Sequence, residues 1–355
     1  MPLFCAVGSV SCGSHKIFFP GQVFSTMSKR FPMPIPHGWY AVSYSDELAV
    51  GESRAVTYFG RELVIFRTES GQARLLDAYC PHLGAHLGYG IHENTGGGGR
   101  IEGESIVCPF HGWKFNGEGE CTEVPYARNM PPKITQQKCL TSYPVTETNQ
   151  VIWAWYHPQD EAPLWQVLDH EEANSEDWAP LQRYEWEMNT HPQEMAENAA
   201  DPAHFLFVHR TASMPEWETV YEGPMSRGIQ RAKMPTPRGE VDGAIHTGSM
   251  GPGQGFTKFE GIADTFLMGL TTPIDEDRIQ LRFAFTQPKV NGEVKTGGVN
   301  AGIIANIVGQ LEEDKPIWEH KVYRPLPVLC DGDGPIAKFR KWYSQFYSNF
   351  DSEAA

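Results

Sequence analysis

The sequence predicts an α+β protein of two domains, an all-β N-terminal part and a C-terminal antiparallel sheet accompanied by helices. Two features predict it. From His37 to about Tyr156, short alternating runs are punctuated by Gly, Pro and Asn, the pattern of half-buried strands and tight turns. Beyond a Pro-, Asp- and Glu-rich stretch at 157–180, helical spacing brackets a second strand-rich region.

Taken in order, Trp39-Tyr-Ala-Val, Arg54 to Phe59, Glu62 to Arg67 and Arg74 to Asp77 fit half-buried strands. Val151-Ile-Trp-Ala-Trp-Tyr fits a buried one. Asn94-Thr-Gly-Gly-Gly-Gly and Asn116-Gly-Glu-Gly-Glu read as turns. A helix is expected from about Pro192 to Val208, broken or kinked near Asp201 by Pro202. Strands follow between about Thr219 and Pro288, with Asp277 to Thr286 alternating. In the tail, Ile336, Phe339, Trp342, Tyr343 and Phe346 recur at helical spacing behind Pro335, a proline allowed in a first turn. The expected organisation is an N-terminal extension (1–36), a first domain (37–157), a linker (158–180), a second domain (181–350) and a tail (351–355).

Composition narrows the classes. A chain of 355 residues can bury roughly three quarters of the surface its unfolded form exposes. With 40% apolar, 12% aromatic and 21% charged residues it is globular in composition, which argues against disorder. No apolar run approaches the ~18 residues of a membrane-spanning helix, and the longest candidate, Ala301 to Leu311, is interrupted. Twenty-nine basic against forty-four acidic residues give a formal charge of −15 without a basic cluster, so nucleic acid is not an expected partner. Seven scattered cysteines do not make a disulfide framework. Cys5, Cys12, Cys121, Cys139 and Cys330 read as free thiols of a reducing, cytoplasmic compartment. Residues 1–26 lack the basic start and long apolar core of a secretory signal, and Met27 opens an ordinary protein start, so the segment is expected to be a dispensable extension or a mis-called start.

Cys80-Pro-His82 and Cys108-Pro-Phe-His111 are two loops, each following an apolar strand and each pairing a thiol with an imidazole. Such a set can hold one zinc ion or a [2Fe–2S] cluster with two histidines on one iron and two cysteines on the other. Zinc sites usually pair like ligands; here each pair is mixed, so each loop can give one ligand to each iron. Cys80-Pro-His-Leu-Gly-Ala and Cys108-Pro-Phe-His-Gly-Trp-Lys-Phe resemble the N-terminal domain of the Rieske non-haem iron oxygenases. The gap between His82 and Cys108 is longer than that family usually carries; the excess falls in the Gly-rich stretch His92 to Glu104, which can loop out. His86 and His92, between the pairs, read as surface or loop residues.

A second set lies in Asp201-Pro-Ala-His204-Phe-Leu-Phe-Val-His209. Histidines five apart diverge on a regular helix, so they converge on one metal only if the helix ends or bends between them. Two histidines and a carboxylate make the facial triad of Fe(II) oxygenases, with open positions for O2. Beside the Rieske motif, this word resembles the family's catalytic domain, a helix-grip-like sheet carrying a mononuclear iron. The tail, Asp331-Gly-Asp333-Gly-Pro-Ile-Ala-Lys-Phe-Arg-Lys-Trp-Tyr-Ser-Gln-Phe-Tyr, resembles that of the steroid-acting branch, which includes 3-ketosteroid 9α-hydroxylases and cholesterol 7-desaturases. By that resemblance the third iron ligand is Asp333, with Asp331 its rival. Asp201 is implied to bridge His204 to a Rieske histidine, His111, of a neighbouring subunit; a helix N-cap is its ordinary alternative.

The resemblance implies a terminal oxygenase with a [2Fe–2S] cluster, a mononuclear Fe(II) and O2, arranged as a head-to-tail homotrimer. Gly96–Gly99 lacks the ending of a phosphate loop, and no G-x-G-x-x-G joins a strand to a helix. Electrons from NAD(P)H must therefore arrive through a separate flavin/iron–sulfur reductase or a ferredoxin. The expected substrate is a sterol or steroid, met in the cytoplasm or at a membrane periphery. Candidate pocket walls are Phe205, Phe207, Met214, Trp217, Phe256, Phe266, Met268 and Phe283. Rival expectations are a small aromatic or alkaloid substrate, a bare Rieske electron carrier, and a lipid-binding module.

Overall fold

Near-continuous apolar runs place the first domain's strands inside. In the computed structural model, which describes residues 29–348 apart from 91–97, 136, 212, 213, 215, 237, 238 and 262, that domain has eleven described strands. They are β1 (Gly38–Tyr44), β2 (Ser53–Tyr58), β3 (Arg61–Arg67), β4 (Ala73–Asp77), β5 (Ile101–Glu102), β6 (Ser105–Val107), β7 (Lys114–Asn116), β8 (Cys121–Glu123), β9 (Ser142–Tyr143), β10 (Val145–Thr148) and β11 (Val151–Tyr156). A short helix, α1 (Pro132–Thr135), precedes β9. Three antiparallel sheets result, in the orders β1-β11-β10, β2-β3-β4-β9 and β5-β6-β7-β8. The third sheet and the loop after β4 carry the two Cys/His pairs. The segment 1–26 and His92 lie outside the described residues.

The linker is tied down. It holds α2 (Glu171–Asn174), and its Trp165 packs between the domains while its carbonyl accepts the Trp39 indole N–H at 2.7 Å. The second domain then runs β12 (Gln182–Met188), α3 (Pro192–Glu197), α4 (Ala203–Phe207), β13 (Glu216–Glu222), β14 (Met225–Thr236), β15 (Gly239–Met250), β16 (Gln254–Glu260), β17 (Thr265–Pro273), β18 (Ile279–Thr286), α5 (Gly298–Trp318) and α6 (Ile336–Tyr343). Its seven-stranded antiparallel sheet has the order β12-β18-β17-β16-β15-β14-β13.

Strands β17 and β18 of that sheet are covered on both faces. Along β17, Phe266, Met268 and Leu270 pack with Trp39, Ala41, Trp153 and Trp155 of the first domain. The alternate residues Leu267, Gly269 and Thr271 face the cavity described below. A register shift in β1 between Ala41 and Ser43 marks the joint, where the Ala41 carbonyl accepts from Thr272 Oγ1 (2.7 Å) and Arg282 Nη1 (2.9 Å). Across the other face lies α5, with Ile304, Leu311 and Trp318 buried at seven-residue spacing. α6 packs on α3 through Phe339 and Tyr343, and Arg340 makes a two-pronged contact with Glu197 (2.6 and 2.9 Å).

Candidate metal centres and cavity

The two cluster loops share one backbone frame. Cys80 N donates to Ala85 O (2.9 Å) and Gly84 N to Cys80 O (2.9 Å); Cys108 N donates to Trp113 O (2.7 Å) and Gly112 N to Cys108 O (3.0 Å). The offsets, five and four residues, are identical in the two loops. Gly84 and Gly112 both have φ of 75°, a left-handed turn that favours glycine. Inside this frame the histidine stands at the second position after Cys80 but the third after Cys108. The His82 and His111 rings lie 4.7 Å apart, and His82 stacks on Trp113 at 4.6 Å.

Cys80 and Cys108 are both buried free thiols. Their sulfurs share a hydrogen bond: it pulls Cys108 down to about 6, against its burial, and together with burial it pushes Cys80 up. His82 Nδ1 is buried with no hydrogen-bond partner. Two adjacent sulfurs short of a proton and an orphaned imidazole nitrogen are a donor set that fits a [2Fe–2S] cluster better than a finished polar core.

The second set is built on a broken helix. α3 gives way to a turn at Asn198–Ala200, and Asp201 leaves helical geometry (φ −112°, ψ 92°) before α4 begins. The break therefore falls ahead of His204, not between the histidines as convergence requires. What brings them together is the end of α4 at Phe207 with Val208 as its cap, so that His209 N turns back to His204 O (3.4 Å); the left-handed Arg210 (φ 55°) then leads the chain away. Asp201 Oδ1 accepts from Ala203 N (3.1 Å) and His204 N (3.4 Å), capping α4. Its backbone carbonyl accepts from His204 Nδ1, which leaves Nε2 as the free donor atom, facing the Asn198 amide at 3.2 Å.

The third member differs from expectation. Asp314 of α5, not Asp333 or Asp331, joins His204 and His209, with one donor atom from each residue lying within 4.8 Å of the others. His209 Nε2 is 3.3 Å from Asp314 Oδ2, and its Nδ1 meets Glu313 Oε2 at 3.0 Å. Asp333 instead turns its carboxylate into its own loop, where Oδ2 accepts from Cys330 N at 2.7 Å. The close fit in that tail belongs to Gly334, whose Cβ would stand 2.1 Å from Ala200 O. Burial pushes the His204 imidazole down; His209 is raised despite its burial, by the Asp314 and Glu313 carboxylates. An imidazole drawn toward positive charge between two carboxylates, beside a neutral one, suits a divalent cation. Asp314 lies well ahead of the tail, Asp331 onward, in which the ligand is expected. Its signal is positional, an aspartate on the inward stripe between Leu311 and Trp318.

These residues line a cavity of about 280 Å³ between the sheet, α5 and α6. Of the candidate walls, Phe205 and Phe283 line it, whereas Phe256 borders it but shares the face of Met268 and packs in the inter-domain core. Phe266 and Met268 point into the inter-domain core, Phe207 and Met214 are exposed, and the side chain of Trp217 lies outside the described residues. The two faces of β17 separate wall from core, which alternation alone does not do.

Residues 38–144 match the Rieske [2Fe-2S] domain, and residues 154–347 match the 3-ketosteroid 9alpha-hydroxylase C-terminal domain. The fold and the first site thus define a Rieske-type oxidoreductase carrying a [2Fe–2S] cluster. The chain belongs to the Rieske oxygenase family, in the branch with the 3-ketosteroid 9α-hydroxylase catalytic domain. It is 31% identical to cholesterol 7-desaturase nvd of Xenopus laevis, over 91% of this chain and 74% of that protein. It is 29% identical to a 3-ketosteroid-9-alpha-monooxygenase oxygenase component of Rhodococcus rhodochrous, over 90% and 86%. A crystal structure of dicamba monooxygenase shares its fold, with a TM-score of 0.68 at 18% identity over 87% of this chain and 96% of that one. No helix among the described residues is long and apolar enough to cross a membrane.

Proposed function

We propose that the chain is a terminal oxygenase that oxidises a C–H position of a sterol or steroid, with electrons from a separate reductase or ferredoxin. The observation that carries this is the meeting of His204, His209 and Asp314 on the wall of a largely apolar cavity roofed by α5. An iron held there would supply dioxygen activation, and a cluster on Cys80, His82, Cys108 and His111 would supply electrons. The chain's own contribution is orientation. Asp201 O fixes His204 with Nε2 turned to the Asn198 amide and the cavity, Glu313 holds the far nitrogen of His209, and Asp314 is carried inward by the stripe of α5. The sheet, α5 and α6 wall the cavity in which the substrate would lie.

Asp201 spends one carboxylate oxygen on capping α4; the other is proposed to meet His111 of the partner subunit in a head-to-tail trimer. The substrate class follows from the relatives, which are named for cholesterol and for 3-ketosteroids, and from the apolar Phe205, Phe283 and Leu311 in the wall.

The test uses anaerobically purified holoprotein with a surrogate reductase, NADH and O2, offered a panel of sterols, 3-ketosteroids and small aromatic acids. Three irons per chain and an oxidised sterol or steroid by mass spectrometry are expected. Two irons per chain would leave only an electron carrier, and turnover confined to the aromatic acids would move the substrate class.

A further inference from the structure

The cavity contains a polar group that the proposed chemistry does not use. Gln230 of β14 is 3% exposed, lines the cavity, and has no hydrogen-bond partner among the described residues. The other amides of the lining are engaged: Asn198 faces His204, and Gln310 donates to Asn306 at 3.1 Å. Gln230 is not among the fully enclosed polar side chains left without a partner, so its amide keeps contact with the cavity space and stands available to a bound molecule.

Its place in the sheet favours a ligand. Gln230 pairs with Ile245, which pairs with Phe259, and Phe259 belongs to the same apolar cluster as Ile304 and Ile307 of α5. Ile307 precedes Asp314 by two helical turns, about 10 Å along the axis. Gln230 therefore sits at the end of the cavity away from the metal ligands. Between the two ends the sheet presents Gly228, Thr247, Gly255 and Gly269, small residues that leave a flat floor.

We infer that Gln230 anchors the single oxygen function at the end of a rigid apolar polycycle, and so sets which carbon reaches the metal centre; this rests on the sterol or steroid reading above. A carboxamide donates through its N–H2 and accepts through its carbonyl, so it holds either a ketone or a hydroxyl. One amide hydrogen bond inside a dry cavity corresponds to roughly tenfold in binding.

The experiment compares holoprotein with the Gln230→Leu and Gln230→Glu variants, by equilibrium binding of a 3-hydroxysterol, its 3-keto counterpart and the matching hydrocarbon. The original protein should favour both oxygenated ligands over the hydrocarbon by about tenfold or more. Gln230→Leu should bring all three within about twofold of one another, and its ligand-free melting temperature should hold or rise. Gln230→Glu, which only accepts, should keep the hydroxysterol and lose the ketone. An unchanged preference in both variants, or a lower melting temperature with unchanged preference in Gln230→Leu, overturns the anchor and leaves the sterol reading intact. Failure of the original protein to bind any of the three overturns both.

Discussion

The cluster loops and the cavity triad are both sets of metal donors, built on opposite plans. Each cluster loop closes on itself through two backbone hydrogen bonds within six residues, and its ligands ride on that closed frame. The triad is assembled from three separate decisions: a helix broken at Asp201, a second helix ended after Phe207, and a third helix supplying Asp314. His209 and its partner Glu313 stand 104 residues apart in the chain. A locally closed site depends on its own turns, whereas an assembled one depends on the packing of α3, α5 and α6. The first should therefore survive insults that dismantle the second.

The largest expected effect breaks the comparison at its weakest joint, the third ligand. Asp314→Ala should lower iron from three to two per chain, abolish turnover, and leave the visible spectrum of the cluster intact. Asp333→Ala should keep all three irons and most activity, because among the described residues its carboxylate serves the Cys330 turn. Iron analysis beside the absorption spectrum decides it. Loss of iron in the Asp333 variant alone would restore the tail aspartate and refute the α5 assignment.

This contrast also explains what the sequence made legible. Cys80, His82, Cys108 and His111 could be found because ligand spacing and turn glycines lie in the same few residues. The strands of the first domain, the sheet of the second and the α6 tail were visible from alternation and helical spacing. The break at Asp201 was visible from Pro202, but the end of α4 at Phe207, which brings the histidines together, has no proline or glycine to mark it. Asp314 escaped because α5 was not foreseen: its apolar residues read as an interrupted run at Ala301 to Leu311. The stripe becomes clear only when Trp318 is added to Ile304 and Leu311. Gln230 escaped for a similar reason, since which face of β14 borders a cavity depends on where α5 lies.

A second effect tests whether the triad leans on helix packing. The Arg340–Glu197 pair joins α6 to α3, with side chains only 16% and 9% exposed. Arg340→Leu strands a buried carboxylate and should cost about 3–5 kcal/mol of stability. In denaturant, the variant should lose its mononuclear iron at lower concentration while the cluster's colour persists. Simultaneous loss of both would show that the two sites unfold as one unit.

Next comes Glu313, which accepts from the far nitrogen of His209. Glu313→Gln should weaken iron binding by roughly 10–100-fold, the usual effect of removing such an orienting carboxylate. Competition with a chelator measures it directly, and rescue of activity by excess Fe(II) separates weak binding from a misplaced ligand. Unchanged affinity would make Glu313 a surface partner only.

The smallest effect concerns the shared frame of the cluster loops. Gly84 has open space where a Cβ would stand, so Gly84→Ala meets only the left-handed backbone penalty, about 1–2 kcal/mol. At Gly112 the same backbone penalty applies, and the added methyl also lies 3.3 Å from Pro125 Cγ. Gly112→Ala should therefore lower the melting temperature more than Gly84→Ala, with the cluster spectrum retained in both. If the two loops are equivalent in construction, the difference between the variants reports Pro125 alone, and enlarging the space with Pro125→Ala should erase it. A difference that persists in that background would mean the two frames, alike in their hydrogen bonds, carry unequal loads.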